Sequence, residues 1–549
     1  MKLLLKISVF TGLLLISYTT PAQVTATDAG KRSTLHSLAL SGEPASLPVI
    51  EKAAKSAGYK PDPSGALSSL LLYASSAEKK GDSKLAEKAV SLIIKNCTVP
   101  ETDSIRIVAM RILSEVNPDK AVNVLLKTVD DKDPVIRDAV VKLANNIPGS
   151  GVTEKWINRY GKVTPKGKIS VLKILGLRGD EIALPLVRSA MEEKNQDISG
   201  EAVSSLAKLI KGEAADPILT WLTAQPSEQA HIKAADVLVT ILNHDNIGKV
   251  AEALRTSKGH ATATLIYLLS WSGDIRFFDA VFPYTNSGDI PVRAAAFSAL
   301  KSLASGKDID NLLTAINRTD ERPEVLSIQD AMAVATERSG DEPSCTGKIL
   351  EAIKNGTPPA KLVPVLALTG GKEALDYVLE HFDNGNPEMR ELCFDALQGW
   401  HNSAAFPVLF AICTSGNETY SKPALDACIR LASDTLLDNS QKIALYEKIA
   451  PYAIFPDSRE EMVVRTGFIK TKAAFDFLSG YLNDTDSTVV FCSALAITNI
   501  TLPSAGNEEG LRGGDIYQTL RRILTILTGD DYKDTREKIN RYLNKQTGN

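Results

Sequence analysis

The stretch Asp130-Asp131-Lys132-Asp133-Pro134-Val135-Ile136-Arg137-Asp138-Ala139-Val140-Val141-Lys142-Leu143-Ala144-Asn145-Asn146-Ile147 decides how the chain is read. A polar, acidic turn leads into Pro134. Behind it Ile136, Ala139, Val140, Leu143 and Ala144 fall at the three- and four-residue spacing of one helix face. Asp133 before Pro134 marks a helix start. Proline has no N–H to lose at the first helical position, and the aspartate oxygen accepts free N–H groups of the first turn. The frame Ile136-Arg137-x-Ala139-Val140-x-x-Leu143-Ala144 returns as Val292-Arg293-x-Ala295-Ala296-x-x-Ala299-Leu300 and as Met389-Arg390-x-Leu392-Cys393-x-x-Ala396-Leu397. A degenerate copy is Val489-Val490-x-Cys492-Ser493-x-x-Ala496-Ile497. The separations are 156, 97 and 100 residues, close to five, three and three lengths of one unit.

Short turns close the helices of this phase near Asn117, Gly149, Gly179, Gly212, His244, Gly273, Gly306, Gly340, Gly370, His401, Ser433 and Lys470. Between Gly149 and His401 they stand 29 to 34 residues apart. Glycine ends a helix because it enters the left-handed region without a Cβ penalty. A second helix follows each turn, as in Gly179-Asp180-Glu181-Ile182-Ala183-Leu184-Pro185 and His401-Asn402-Ser403-Ala404-Ala405-Phe406-Pro407. Two short antiparallel helices are too thin to bury their own apolar faces, so neighbouring units must stack. Aromatics are only 6% of the chain, and Ala, Leu and Ile carry most of the apolar surface, which favours thin helical layers over β-sandwiches. The expected fold is all-α: an α-solenoid, or superhelix, of about a dozen stacked antiparallel helix pairs.

Residues 1–22 read as a secretory signal peptide, with Lys2 and Lys6, a short apolar core Ile7–Ile16 and Ala22 before the cut. An apolar run of about ten residues is too short to span a bilayer, which needs about 20. With no cysteine before Cys97 the chain is expected to be exported, periplasmic or at the surface, and not a lipoprotein. A polar leader at 23–33 precedes N-terminal capping repeats at 34–116. The regular array covers 117–501, a Gly-rich loop 502–514, and a helical cap 515–549. The rhythm fails at 317–360 and at 434–462, candidate places for a bend or a functional insertion.

The Arg frame, the Asp-Pro and Asn-Pro turns before it, and the Gly-Asp closures at 179–180, 273–274 and 340–341 resemble HEAT repeats, in particular the short kind related to phycobilisome-lyase repeats. The likeness covers about residues 100–500. It implies that the Arg-bearing helices line the concave face of the superhelix, with Asp138, Lys142, Glu391 and Asp395 exposed there, and that each Arg pairs with the turn acid of its own or a neighbouring repeat, Asp133 and Asp289 both standing four residues before it.

Signs of chemistry are few. The six histidines show no HExxH or paired His-Glu pattern, so the iron site of HEAT-like hydroxylases does not carry over; GxSxG and P-loop motifs are missing too. The acids at 130–133 lack the Gly and distal Glu of a calcium loop and read as helix caps. Catalytic residues, metal and cofactor are therefore not expected. Six cysteines without CxxC spacing read as buried thiols, or as one bridge among Cys393, Cys413 and Cys428. Trp156 and Trp221 read as core. Trp271 and Trp400, with His401 beside it, stand in nearly one phase before closing turns. They read as packing, or as an aromatic edge for a sugar ring or peptide. Cleavage would take the formal net charge from −4 to −6, a poor match to nucleic acid or anionic membranes. The expected function is a non-enzymatic protein-binding scaffold of the bacterial envelope. Its alternatives are carbohydrate or small-ligand binding, and service as a regulatory or accessory subunit of an exported enzyme.

Overall fold

A computed structural model describes residues 26–504 and 508–547, so the expected signal peptide lies outside the described residues. Among the described residues the chain forms helices and no β-strand. The longest helix is Arg322–Ser339, with 18 residues. Helices this short are marginal alone in water, so their stability comes from packing.

The chain divides into two compact units, up to Leu268 and from Leu269 on. In the first, Ala66–Lys79, Asp103–Val116, Pro134–Asn145, Pro165–Arg178, Gln196–Ile210 and Glu228–Leu238 stack side by side in one layer. The helices between them in sequence, such as Pro118–Thr128 and Ser150–Tyr160, pack against their flanks. The second unit repeats the arrangement, with Ile290–Leu303, Arg322–Ser339, Pro359–Thr369, Pro387–Gln398, Glu418–Leu431, Pro456–Thr466 and Ser487–Thr501 in the Arg-bearing layer. Each unit is an all-α solenoid of stacked helix pairs. The closing glycines do the expected work: Gly179, Gly273 and Gly340 sit at φ +68°, +63° and +65°.

Three expectations change. Residues 26–33, read as a leader, lie in the helix Ala26–Ser41, which buries Leu35 and Ala39; alanine, lysine and arginine there favour a helix. The stretch 317–360 holds an ordinary pair, Arg322–Ser339 and Glu342–Lys354. Pro323 lies in the first turn of one, and Asp341 caps the other by accepting from Ser344 N at 3.3 Å. At 434–462 the additional length becomes a 3-10 turn, Ala450–Tyr452, before the helix Pro456–Thr466.

Cations hold the layers by donating to carbonyls. At the fourth position of its helix, Arg137 donates to Asp131 O and Lys132 O at 2.7 and 2.9 Å, Arg390 to Phe382 O at 3.0 Å, and Arg459 to Ile454 O at 2.7 Å. His231 lies 2.9 Å from Gln225 O through Nε2 at the same position. A second series reaches back one unit. Arg178 donates to Ile147 O at 2.6 Å, Arg338 to Ala304 O at 2.9 Å, and Arg430 to Trp400 O at 2.8 Å. These carbonyls end helices or turns and would otherwise lack donors. The structural reading of the repeated Arg stands, and the acid it meets, as Arg293 meets Glu324 at 2.9 Å, is that of the neighbouring repeat. Asp133 and Asp289 cap their own helices, through Val135 N and Val292 N.

Glu78, near the end of the helix Ala66–Lys79, sits 3.9 Å from Arg111 of Asp103–Val116, which binds Glu115 more closely at 2.7 Å. Burial, then the hydrogen bond and charge of Glu115, push the Glu78 carboxyl up to about 7. A carboxyl raised in the folded state contributes stability at low pH that is lost as pH rises through the folded value. Glu78→Gln is therefore expected to raise Tm at pH 8 and leave it nearly unchanged at pH 5, measured by thermal unfolding across that range.

Candidate functional site

The first unit carries a groove across its Arg-bearing layer, enclosing about 1060 Å³ between Pro165–Arg178, Gln196–Ile210 and Glu228–Leu238. Small side chains make it. Gly176 lies so close to the neighbouring helix that a Cβ there would stand 2.8 Å from Ser205 Cα, and Ser205 Oγ donates to Leu172 O at 2.9 Å. Gly200, Ser204 and Ala207 continue the run of small residues on Gln196–Ile210. Val141, Leu177, Val237 and Ile241 add apolar lining.

Lys173, Lys208, Lys211 and Lys233 stand around this lining. None of the four makes a salt bridge among the described residues. Elsewhere lysines do find acids: Lys120 meets Glu87 at 2.7 Å, Lys249 meets Asp216 at 2.6 Å, and Lys348 meets Asp310 at 2.6 Å. The acids on the groove wall are Glu201 and Asp236. Burial pushes the Glu201 carboxyl up against the pull of Lys173, Lys233 and Lys208. The groove is thus a cationic rim over an apolar lining, two lysines in excess.

The sequence-derived site residues scatter. Asp138 and Lys142 are exposed on Pro134–Asn145, whose Val141 lines the groove. Glu391 and Asp395 are exposed on Pro387–Gln398; Glu391 accepts from Tyr420 Oη, and Asp395 from Gln398 at 3.4 Å. The two tryptophans part company. Trp271 is 50% exposed, whereas Trp400 is 0% exposed, so the expected aromatic edge is not a pair. Trp400 lies two residues beyond the end of its helix at Gln398, and Arg430 donates to the carbonyls of Gln398 and Trp400. His401 is exposed beside Gly370, where a Cβ would meet its ring at 2.2 Å. Trp156 and Trp221 are buried, as expected. All six cysteines are free thiols, five of them buried. The groove lysines escaped sequence reading because an isolated lysine on a helix carries no spacing signal. The run Ser199-Gly200-x-Ala202-x-Ser204-Ser205-x-Ala207 was the visible sign of close packing.

What these features define is a helical-repeat solenoid bearing a charged groove. The chain matches no protein-family model and no curated protein. Among solved structures it is similar to importin beta in an ammonium sulfate condition: 12% identity, 94% of this chain and 80% of that one, TM-score 0.37. It is similar to Kap121p bound to RanGTP at 14% identity, over 94% of this chain and 56% of that one, TM-score 0.43. Human deoxyhypusine hydroxylase is matched at 13% identity over 59% of this chain and 98% of that one, TM-score 0.22. The fold assignment rests on the packing described above.

Two glycines, one on each of the helices Pro165–Arg178 and Gln196–Ile210, separate packing from propensity. Gly176→Ala is expected to destabilise by about 1–3 kcal/mol, since its methyl meets backbone. Gly200→Ala meets only the Lys233 stem at 3.4 Å and is expected to be neutral or stabilising by up to about 1 kcal/mol. Denaturant midpoints of the two variants check the contrast.

Proposed function

We propose that this chain is a non-enzymatic scaffold of the bacterial envelope, and that the groove of its first unit takes an acidic segment of a protein partner. Four lysines free of salt bridges around an apolar lining carry the reading. Lysine stems cover apolar surface while their ammonium groups stay in water, so the rim can meet carboxylates while the lining takes leucine- or valine-sized side chains. Repulsion among the four cations is relieved by an acidic ligand, and exposed charge pairs of this kind give about 0.2–1 kcal/mol each. Affinity would then come from several pairs together with apolar burial, and be sensitive to salt. Export rests on the pattern of residues 1–22. The net charge of the whole chain, −4 by formal count, favours a local acidic contact over nucleic acid, which would meet repulsion from the rest of the surface. The glycan alternative loses its main support with the burial of Trp400.

Fluorescence anisotropy with a labelled peptide of alternating Glu and Leu tests this. Binding is expected to weaken about tenfold or more in Lys208→Glu/Lys233→Glu, and to fall as salt rises from about 50 to about 300 mM. Equal binding of the Gln-for-Glu peptide, indifference to the charge reversal, or equally tight binding of a single-stranded oligonucleotide of the same charge would overturn the reading.

A further inference from the structure

The fourth-position cation of the Arg-bearing helices has a recurring second partner in the second unit and the first alike: a carboxylate from the following repeat. Arg106 meets Asp131 at 3.0 Å, Lys168 meets Glu193 at 2.9 Å, Arg293 meets Glu324 at 2.9 Å, and Arg459 meets Asp484 at 2.7 Å. Asp131, Glu193 and Asp484 all stand three residues before the next helix of the layer, which begin at Pro134, Gln196 and Ser487. At Arg390 the next such helix begins at Glu418, and the residue three before it is Ser415. Arg390 has no salt bridge. Its Nε donates to Phe382 O at 3.0 Å and its Nη2 to Asp383 O at 3.4 Å, while Nη1 has no bond among the described residues.

In place of the missing acid is a cavity of about 640 Å³, lined by Arg390 and Ser415 together with Phe382, Val408, Ile412 and Tyr420. This volume lies in the usual range of small-ligand pockets, about 300–1,000 Å³. Its walls are mostly apolar. Phe394 supports Tyr420 from behind, at 4.5 Å between ring centroids. One acid, Asp383, also lines the cavity; it is exposed and makes no salt bridge.

We infer that this cavity binds a carboxylic acid with an aromatic or branched aliphatic body, its carboxylate meeting Arg390 at the Nη1 side, since the Nε and Nη2 atoms that bind Asp484 on Arg459 are taken on Arg390 by the Phe382 and Asp383 carbonyls. The guanidinium is held at its rear by two carbonyls and presents its remaining edge, a rigid fork suited to a carboxylate. The apolar body lies against Phe382, Val408 and Ile412. Ser415 and the Tyr420 hydroxyl are the polar groups beside the head, although Tyr420 already donates to Glu391. The acid arrives either as a free small molecule or as the C-terminus of a peptide; both present the same chemistry.

Isothermal titration of the whole chain with 3-phenylpropionate, its neutral amide, and a tetrapeptide ending in a free or amidated phenylalanine tests the assignment. The free acids are expected to bind at least about tenfold more tightly than their amides, because a charge-assisted hydrogen bond is lost in the amide. Whichever acid binds more tightly identifies the source. Ala411→Phe fills the cavity while leaving Arg390 in place, and is expected to abolish binding. Asp383→Asn removes the opposing charge and is expected to tighten it. Arg390→Gln should bring acid and amide to equal affinity. Equal affinity for acid and amide in the unaltered chain, no binding of any of the free acids, or binding that survives Ala411→Phe would overturn the inference. None of these outcomes bears on the lysine groove of the first unit.

Discussion

A stack of short helices has one recurrent problem: every helix ends in carbonyls that lack an N–H within the helix. With about a dozen pairs the number of such groups is large. Each one buried without a donor costs about 1–3 kcal/mol, comparable to a fair share of a domain's whole stability. This chain meets part of the need with two series of cations that recur in several repeats. One series caps the turn that leads into its own helix, as Arg137, Arg390 and Arg459 do. The other reaches back to the preceding helix of the layer, as Arg178, Arg338 and Arg430 do. Burial holds the Arg178 and Arg430 guanidinium groups below the usual arginine value, which marks how far they are drawn in from water. The acids of the turns are tied to the same scheme. Asp130 accepts from Thr164 N at 3.0 Å in the next unit, Asp131 pairs with Arg106 of the previous one, and Asp133 caps its own helix. Three acids of one turn thereby tie three repeats together.

Where small residues replace large ones within this frame, the layer opens into surface features. The helix Gln196–Ile210 approaches Pro165–Arg178 at backbone distance because Gly176 and Ser205 face one another. Side chains of that size cannot fill the space above them, so a groove follows from the same contact that makes the two helices pack tightly. Lysines at its border are then natural, since their stems lie on apolar surface and their charges remain solvated. That the four outnumber the two acids of the groove wall and close no salt bridge with them is not required by the packing, and it is the feature that points outward.

The repeat was legible because it is a matter of spacing. Pro134, Arg137 and the apolar positions behind them recur at intervals a single sequence reveals, and the closing turns at Gly179, Gly340 and Gly370 fell where helices end. The second series of cations was also visible, with Arg178 directly before Gly179 and Arg338 two before Gly340, but it marked no helix start and went unread. Trp400 misled because phase along the sequence fixes position along a helix and leaves depth open. Trp271 stands one residue before the end of its helix at Ser272, Trp400 two residues beyond Gln398, and the two differ in exposure. Groove and cavity depend on what three successive helices present together. That information is spread over residues such as Gly176, Ser204 and Lys233, none of which carries a motif.

The irregularities that matter chemically are therefore substitutions within the rhythm and not interruptions of it. The interrupted stretch 317–360 folds as an ordinary helix pair. By contrast Arg390 sits in one of the most regular copies, yet its following turn carries Ser415 where Asp131, Glu193 and Asp484 stand in their repeats. With serine in place of the acid the guanidinium is still fixed by two carbonyl bonds, now made by Nε and Nη2, the atoms that hold Asp484 on Arg459. What it removes is the internal counter-charge, and it does so beside a cavity walled by Phe382 and Ile412. A solenoid can thus acquire a binding position without altering its architecture. The repeat supplies an oriented cation at several levels, and absence of an acid partner beside a cavity, as at Arg390, leaves that cation available to a ligand.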